Sequence, residues 1–408
     1  MRPYPKITVT KKGEDFLRGG HVWVYADEIT ETAGALTDGE LADVYSQKGK
    51  YLGTGFYNSA SKIRLRVVSK NANDRFDSSF WERKLRWALD YRRATMGEDF
   101  SCCRLIFGEA DAFPGFTVDR FGKVLVTQVL SLGIERIKNL LYPALLKILR
   151  EEMAQEINVL YERNDVAIRR LEGMTEEQGF VEEDGLLTET DGITEITENG
   201  VRYEVDYING QKTGFFLDQK YNRRAIREVA KGRRVLDCFT HTGSFALNAA
   251  QAGAAHVTAI DVSVDALEVA KRNAALNGLS EGMDFICADV FDHLTRAANG
   301  EIPFDYDFVI LDPPAFTKSR DTLRNAIKGY REINRRAMQL LPRGGYLATC
   351  SCSHFMTETY FKQMLHNAAE DAGVSLRQIE ARQQSPDHPI LWNVPETDYL
   401  KFFIFQIV

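Results

Sequence analysis

Residues 234–243 are Arg-Val-Leu-Asp-Cys-Phe-Thr-His-Thr-Gly, and Ser244 follows them. A short apolar run reaches Asp237, and helical spacing begins after Gly243, so the segment predicts a strand, a turn and a helix. The same alternation continues, with further strands expected at 256–261, 283–287, 308–312 and 346–350. Alternating strands and helices imply a parallel sheet covered on both faces, so the fold class is α/β.

The flanks of this alternation carry their own signals. Asn199-Gly200 separates two alternating runs at 193–197 and 201–206, which is the strongest short signal of a β-hairpin. Helices are expected at 264–277 and 321–340. The final apolar run, 400–407, follows an extended stretch without a helix, and we expect it to insert antiparallel into the sheet.

The first half of the chain has a different organisation. Residues 1–72 contain short β-branched and aromatic runs divided by glycines, at 21–25, 41–45, 51–57 and 63–68, and these predict the strands of a small β-barrel. An α+β stretch follows, with helices at 78–95 and 134–153, strand candidates at 124–130 and 160–168, and a linker at 172–192. We therefore expect three domains, at 1–72, 73–185 and 186–408.

Charge and composition narrow the class of protein. The net charge is −7, but residues 1–72 carry 11 Lys and Arg against 8 Asp and Glu, a local charge of +3. Nucleic-acid binding needs a local basic face, so the acidic total does not exclude it. With no long apolar run and no signal-peptide pattern, we expect a cytoplasmic protein without membrane contact. The six cysteines lack the paired CxxC spacing of a zinc site, and no metal is expected.

Acidic residues follow the predicted strands. Asp237, Asp261, Asp289 and Asp312 each fall at or just past a strand end. In open α/β sheets, ligands bind outside the carboxyl ends of the strands. One such Asp is better explained as a helix cap, but four on successive strands indicate a ligand.

The turn after the first strand restricts that ligand. It has one glycine, Gly243, where a dinucleotide loop has three, and it lacks a phosphate-loop lysine, which disfavours NAD and ATP. A ribose without phosphates fits better, with Asp261 on the ribose hydroxyls and Asp289 or the Val290 amide on an adenine edge. S-adenosylmethionine meets these conditions, since its carboxylate suits the helix N-terminus after Gly243 and its sulfonium is cationic.

The last two strand ends carry candidate chemistry. Asp312-Pro-Pro-Ala-Phe316 contains paired prolines that fix a turn where a substrate base is expected to stack. The fifth strand ends in Thr349-Cys-Ser-Cys-Ser-His354. We expect Cys350, inside the strand, to be a buried inert thiol, and Cys352, at its end, to be a nucleophile.

These motifs resemble those of the bacterial large-subunit ribosomal RNA cytosine-C5 methyltransferases that carry an N-terminal PUA domain. The resemblance covers essentially the whole chain and extends through residues 107–120, 161–165 and 211–219. It implies a PUA RNA-binding barrel, a middle α+β RNA-binding domain and a Rossmann-like, seven-stranded methyltransferase domain. It also implies S-adenosylmethionine as the methyl donor and ribosomal RNA as the partner.

The resemblance assigns residues as well. Cys352 matches the catalytic cysteine, and residues 211–219 with Arg223 match the segment that closes over the cofactor. Separately from the resemblance, we expect Asp312 to hydrogen-bond the N3/N4 edge of the base. The full set expected at the cofactor is Phe216, Gln219, Arg223, Asp237, Phe239, Thr240, Gly243, Ser244, Asp261, Asp289, Val290 and Asp312.

The expected mechanism is attack of the Cys352 thiolate on C6 of an unpaired or flipped cytosine, which makes C5 nucleophilic. One feature departs from the pattern. Many RNA cytosine-C5 methyltransferases have a second cysteine after the proline of the fourth-strand motif, and Pro314 stands there in this chain. The acceptor of the C5 proton is therefore left open between Cys350 and a water.

Two alternatives stay open on the sequence. A methyltransferase acting on an exocyclic amine usually has an aromatic residue directly after Asp-Pro-Pro, where this chain has Ala315. An RNA-binding factor with a vestigial methyltransferase domain is disfavoured by the complete set of strand-end residues. The missing glycines argue against a nicotinamide oxidoreductase. The target nucleotide and the oligomeric state are open, with a homodimer among the options.

Overall fold

A computed structural model describes residues 2–317 and 319–408. The chain divides into two compact units. The first unit comprises Met1–Ile196, Val205–Leu217 and Pro386–Thr397, and the second comprises Thr197–Glu204, Asp218–Ser385 and Asp398–Val408. Within the described ranges, no helix has both the length and the apolar character needed to cross a membrane.

The first unit begins with a six-stranded sheet in the order β2-β6-β5-β4-β1-β3. In the described residues of this sheet, β1 and β4 pair in parallel, and the other neighbouring strands pair antiparallel. Its strands are β1 Lys6–Val9, β2 Trp23–Tyr25, β3 Ile29–Ala33, β4 Leu41–Ser46, β5 Tyr51–Tyr57 and β6 Ile63–Ser69. The sequence predicted β2, β4, β5 and β6, whereas β1, β3 and the helix α1 (Lys11–Arg18) were missed.

A second sheet in this unit has the order β11-β10-β9-β8-β7. Its strands are β7 Cys102–Phe107, β8 Phe116–Phe121, β9 Val124–Val129, β10 Val159–Asn164 and β11 Glu177–Phe180. The linker predicted at 172–192 is wrong in part, because β11 lies inside it and pairs antiparallel with β10, Tyr161 opposite Phe180. With the sequence Glu-Gln-Gly-Phe, β11 has no apolar alternation that would have marked it as a strand.

Two helices accompany the second sheet. The predicted helix at 78–95 is α2, Ser78–Met96, and it starts at the N-cap Asp77, whose carboxylate accepts a hydrogen bond from the Phe80 amide. Its buried face includes Trp81 and Leu85. The second helix, α3, spans Leu132–Lys147 and continues as a π-helical turn over Ile148–Glu152, close to the predicted 134–153.

The predicted hairpin is confirmed as β12, Ile193–Glu198, and β13, Val201–Asp206. Its turn places Asn199 at φ 54° and Gly200 at φ 76°, the positive values that an Asn-Gly hairpin turn requires. The chain passes from the first unit to the second within this hairpin, and it revisits the first unit once more at 386–397.

The second unit holds a seven-stranded sheet in the order β16-β15-β14-β17-β18-β20-β19. Its strands are β14 Arg234–Cys238, β15 His256–Asp261, β16 Met283–Cys287, β17 Phe308–Leu311, β18 Tyr346–Ser351, β19 Leu376–Arg382 and β20 Lys401–Ile407. The first five are parallel, and β20 inserts antiparallel between β18 and β19, as predicted for the C-terminal run. The sequence did not predict β19, whose side chains are mostly exposed.

Helices pack around this sheet, as predicted for an α/β fold. They are α4 Lys220–Ala225, α5 Arg227–Ala230, α6 Ser244–Gln251, α7 Val264–Leu276, α8 Val290–Ala298, α9 Leu323–Leu340 and α10 Glu358–Ala372. One core cluster joins apolar residues of the central strands, including Leu236, Val309 and Leu347, to Tyr330 of α9 and Phe361 of α10. This core fixes the strand ends where the candidate site lies.

Candidate active site

The candidate site lies where the strand order of the seven-stranded sheet reverses. β14 leads to β15 on one side and neighbours β17 on the other, with Cys238 opposite Leu311. In open α/β sheets the crevice at such a reversal is the usual place for a ligand. Asp237 lies at the end of β14 and Asp312 directly after β17.

The loop after β14 has an unusual backbone. Phe239 and His241 are not glycines, yet they adopt φ values of 62° and 51°, and Gly243 follows at φ 83°. Left-handed conformations at non-glycine residues are unfavourable and cluster at functional sites. The loop is held by Asp237, whose Oδ2 accepts hydrogen bonds from the Thr240 hydroxyl at 2.6 Å and the Ala246 amide at 2.9 Å.

The other oxygen of Asp237 is unsatisfied. Oδ1 is buried and accepts no hydrogen bond from any residue in the described ranges. Burial raises the pKa of Asp237 to about 7, and the carboxylate of Asp312 adds to the rise. A buried acceptor of this kind calls for a donor or a cation from outside the chain, and the ammonium and sulfonium groups of S-adenosylmethionine are of that class.

Asp261, at the end of β15, holds two loops through its carboxylate. Oδ2 accepts from the His241 amide and Oδ1 from the Ser263 amide, both at 2.9 Å. The residue is partly exposed, and each carboxylate oxygen has a second lone pair. Asp261 therefore still has acceptor sites for ribose hydroxyls, as the sequence argument requires.

Asp289 behaves as a helix cap. Its side chain is exposed and accepts a hydrogen bond of 3.1 Å from the Asp292 amide at the start of α8. The neighbouring Val290 is buried in the core. Capping, the simpler explanation weighed for any single strand-end aspartate, thus accounts for the Asp289 geometry, and an adenine contact stays a prediction.

A cluster of three side chains forms around Asp312. Its Oδ1 accepts a hydrogen bond from Cys350 Sγ at 2.9 Å and from Gln219 Nε2 at 3.2 Å. Burial raises the pKa of Asp312 to about 6, although the two hydrogen bonds oppose the rise. Gln219 and Asp312, both predicted at the site, are thus in contact.

Cys350 has a partner that the sequence argument did not foresee. Its thiol is 1% exposed, as expected of an inert core cysteine, but it donates to Asp312. Burial and the adjacent carboxylate raise the pKa of Cys350 well above its ordinary value. The alternation of β18, which gives Cys350 and Cys352 the same parity, was the signal available in the sequence.

Cys352 lies one residue beyond β18 and is partly exposed. On the antiparallel neighbour β20, Lys401 is paired with Ser351. Its ammonium is buried and donates to the carbonyl oxygens of Ser353 at 2.7 Å and Tyr399 at 2.9 Å. Burial lowers the pKa of Lys401 to about 8, and the Coulombic interaction with Cys352 opposes this shift.

Lys401 was missed by the sequence argument. The signal was a lysine inside the apolar run 400–407, since a fully buried strand rarely carries a charge without a reason. The loop of Cys352 is fixed from a second side, because the Ser353 hydroxyl donates to the Thr317 carbonyl at 2.8 Å.

Two further predicted residues have other contacts in the structure. Arg223 is buried and forms a bidentate ion pair with Glu198 of the hairpin, at 2.6 and 2.9 Å. Burial alone would lower the pKa of Arg223, and the attraction of Glu198 raises it overall. Phe216 belongs to the first unit, where Lys212 Nζ lies 4.7 Å from its ring centroid. A cofactor role for either residue stays a prediction.

Comparison with known families agrees with this geometry. The profile of the S-adenosylmethionine-dependent methyltransferase family matches residues 183–406, and a PUA-like domain profile matches residues 7–70. The seven-stranded sheet lies within the first match and the six-stranded sheet within the second, apart from single terminal residues.

Solved structures share the fold. A Streptococcus mutans protein described as a SAM-dependent methyltransferase aligns over 98% of this chain and 99% of its own, with a TM-score of 0.80 and 22% identity. A second structure, determined in complex with SAH, aligns with a TM-score of 0.81 over 98% of this chain and 99% of its own, at 21% identity.

Sequence relatives are more similar. The "Ribosomal RNA large subunit methyltransferase I" of Klebsiella pneumoniae is 38% identical over 408 residues, covering 99% of both chains. The protein of the same name from Salmonella arizonae is 38% identical over 409 residues, covering 99% of this chain and 98% of the relative. The chain therefore belongs to the S-adenosylmethionine-dependent methyltransferases and, among them, to the ribosomal RNA large subunit methyltransferase I family.

Proposed function

We propose that this protein methylates C5 of a cytosine in large-subunit ribosomal RNA, with S-adenosylmethionine as the methyl donor. The names of its relatives support the RNA substrate. The choice of C5 rests on one observation: a partly exposed thiol, Cys352, follows the strand adjacent to the one that ends at Asp312. Methylation of an exocyclic amine has no use for such a thiol.

The residues around the strand reversal suit the cofactor. Asp261 would accept hydrogen bonds from the ribose hydroxyls, the N-terminus of α6 after Gly243 would take the carboxylate, and the unsatisfied oxygen of Asp237 calls for a donor. When bound, S-adenosylmethionine supplies an electrophilic methyl group. The protein's task is to make C5 of cytosine nucleophilic enough to accept it.

Cys352 performs that task as a nucleophile. Its thiolate forms a bond to C6, the electron pair of the C5–C6 double bond moves toward N3, and C5 becomes nucleophilic. When C5 takes the methyl group, the donor would leave as S-adenosylhomocysteine. The C5 proton then passes to a water, the C5–C6 double bond re-forms and the bond between Sγ and C6 breaks. The thiolate is regenerated, so the cycle is balanced.

Asp312 and Lys401 assist the nucleophile. With a pKa near 6, Asp312 holds a proton part of the time and donates to N3, where negative charge develops. Lys401 provides a buried positive charge near Cys352, which favours the thiolate over the thiol.

The acceptor of the C5 proton is water rather than Cys350. The Cys350 thiol is buried and its raised pKa keeps it protonated, so it is a poor base. Its proton is directed at Asp312. Cys350 is thereby a positioning residue that orients the carboxyl group.

The position of Phe316 disfavours amine methylation. The ring packs against Tyr330, at 4.5 Å between centroids, and against Phe291, at 5.9 Å. An aromatic residue after Asp-Pro-Pro serves amine methyltransferases by stacking on the substrate base, and Phe316 is instead engaged in packing.

The decisive experiment is trapping of the covalent adduct. RNA containing 5-fluorocytosine has no C5 proton to lose, so wild-type protein should form a stable adduct that denaturing gels and mass spectrometry detect. Cys352→Ala should form none and should not methylate, while Cys287→Ser, which removes another exposed thiol, should behave as wild type. Adduct formation or turnover by Cys352→Ala would refute the assignment of Cys352 as the nucleophile.

The product identifies the atom. Digested RNA should yield 5-methylcytidine, which chromatography and fragmentation separate from N4-methylcytidine. Recovery of the N4 isomer would replace the proposal by amine methylation. If the protein binds the cofactor but forms no product with ribosomal RNA, ribosomal RNA is not its substrate.

A further inference from the structure

A groove in the first unit, outside the candidate active site, has the features of a ligand site. Its volume is about 730 Å³, and its walls include the end of β6 with Lys70 and Asn71, together with Arg83, Lys84 and Trp87 of α2. A second concavity of about 300 Å³ shares Lys84 and Trp87 and continues toward Tyr91. Trp87 therefore separates two adjoining depressions.

The indole of Trp87 is available to a ligand. The residue is 58% exposed, whereas Phe80 and Trp81 of the same helix are buried in the core and Tyr91 is 39% exposed. Arg83 Cζ lies 5.5 Å from the Trp87 ring centroid and Lys84 Nζ lies 5.6 Å from it. An exposed aromatic ring flanked by two cations combines a stacking surface with charge for an anion.

Lys84 has no directly bonded anionic partner among the described residues. Its side chain is partly buried, and it forms neither a hydrogen bond nor an ion pair with the residues that the structure describes. Burial lowers the pKa of Lys84. Coulombic attraction to Asp74 and Asp111 opposes this shift, but neither carboxylate bonds the ammonium. A partly desolvated ammonium without a directly bonded carboxylate is stabilised further by a ligand that supplies a counter-charge.

The nearby carboxylates are already engaged. Asp74 accepts a hydrogen bond of 2.6 Å from Ser69 and pairs with Arg83 at 3.4 Å. Asp111 pairs with the buried Arg92 at 2.6 Å. The two acidic residues therefore do not neutralise Lys84 by direct contact, and a phosphate is the anion that also brings a base to stack.

We propose that this groove binds single-stranded RNA, with a base stacked on Trp87 and a phosphate at Lys84 and Arg83. The inference rests on the proposed function, and it adds a substrate-binding surface that is separate from the chemistry. Depressions on both sides of one indole suit successive unpaired nucleotides. Base-paired RNA hides its base faces in the stack and cannot use the ring.

Binding can be measured on the whole protein. The probe is a fluorescein-labelled, unstructured RNA of roughly 12 nucleotides, a length within the range of known single-strand sites. We expect Trp87→Ala to weaken binding roughly tenfold, because loss of one stacked base has that effect. We expect Lys84→Gln to reduce the slope of log affinity against log salt by about 0.7, the value for one phosphate contact on a single strand.

Two matched controls lie in the same unit. Trp392→Ala removes an indole that is 93% exposed, and Lys48→Gln removes an exposed ammonium outside the groove. Both should bind the probe as wild type does. If the controls lose as much RNA affinity as the groove variants do, RNA binding in the groove is refuted. Unchanged affinity and salt slope in Trp87→Ala and Lys84→Gln would refute it as well.

A kinetic readout separates this proposal from the proposed function. The groove variants should raise KM for RNA while kcat at saturating RNA stays within about twofold, since uniform binding is what they lose. A wild-type KM in both variants would contradict RNA binding in the groove and would leave the proposed function untouched. Failure of the wild-type protein to methylate ribosomal RNA contradicts the proposed function, whatever the groove binds.

Discussion

The thiol of Cys350 donates a hydrogen bond of 2.9 Å to Oδ1 of Asp312, joining the ends of two neighbouring parallel strands. Gln219 approaches the same oxygen at 3.2 Å. Burial raises the pKa of this carboxyl group to about 6, while both donors hold the value down. Asp312 therefore changes its protonation state close to neutral pH, which suits a group that meets developing charge on a base.

Replacing the carboxyl group of Asp312 tests this role. Asp312→Asn keeps a donor and an acceptor of similar size but loses the titrating proton, and we expect the rate of methylation to fall by about 10²- to 10⁴-fold. Single-turnover transfer of labelled methyl measures the effect. Asp371→Asn changes a carboxylate of α10 outside the site and should leave the rate unchanged. A loss below about tenfold would remove Asp312 from the chemistry.

The buried carboxyl group of Asp237 predicts a stability that depends on pH. Its folded pKa, about 7, lies above the unfolded value of about 3.9, so the folded state binds the proton more tightly. This contribution is complete below pH 4 and is lost as pH rises through 7. Between pH 5 and 8 it falls by about 2–3 kcal/mol.

Asp237→Asn removes this pH dependence. We expect the variant's free energy of unfolding, measured with urea in the absence of cofactor, to change less between pH 5 and 8 than that of wild type, by about 2–3 kcal/mol. An equal slope in both proteins would show that Asp237 is ionised in the fold at pH 5. Excess S-adenosylmethionine should reduce the loss of wild-type stability at pH 8, because its positive charge favours the ionised Asp237.

Lys401 is expected to act through Cys352. In a Cys287→Ser background, alkylation of Cys352 by iodoacetamide reports the thiolate as a function of pH. Lys401→Met should shift this profile upward by about one unit and lower turnover at pH 7, because a nearby cation favours the anion. Lys401→Arg should restore the profile in part. An unchanged profile with reduced turnover would assign Lys401 a purely structural role through Ser353 and Tyr399.

The ion pair of Glu198 and Arg223 gives a prediction about stability. Both side chains are at most 1% exposed. Glu198→Ala leaves the guanidinium buried without its counter-charge and should destabilise the protein by about 3–5 kcal/mol, measured by urea unfolding. The double variant Glu198→Leu with Arg223→Met should be more stable than this single variant.

The double variant also tests the cofactor role expected for Arg223. If Arg223 is structural, calorimetric titration should give wild-type affinity for S-adenosylmethionine in Glu198→Leu with Arg223→Met. A large loss of affinity in a folded double variant would restore Arg223 to the cofactor site. Wild-type protein titrated in the same buffer provides the reference.

Much of the second unit was predictable because its signals are local. Five parallel strands, the Asn-Gly hairpin and the antiparallel C-terminal strand follow from apolar runs and turn residues, and the structure confirms them. Membership of the methyltransferase family, with its PUA-like N-terminal domain, was implied by the resemblance of motifs along the whole chain and is also confirmed.

The errors have two causes, and the first is that some site contacts join segments distant in the sequence. Cys350 resembled a core residue because its burial is visible in the pattern, whereas its hydrogen bond to Asp312 depends on strand pairing. Lys401 lies 49 positions from Cys352 in the numbering and meets its loop only through β18 and β20. Short strands such as β11 and exposed strands such as β19 give little periodicity, so they were missed.

The path of the chain limits how this protein can be divided. The hairpin sends residues 197–204 into the second unit and 205–217 back to the first, and residues 386–397 leave the second unit again before its last strand. No single cleavage can therefore release either unit whole. A protein that begins at residue 218 would lack the Glu198 carboxylate that neutralises Arg223. It would also keep residues 386–397 without the rest of the first unit, to which they belong. Recombination between relatives should accordingly exchange whole genes more readily than halves.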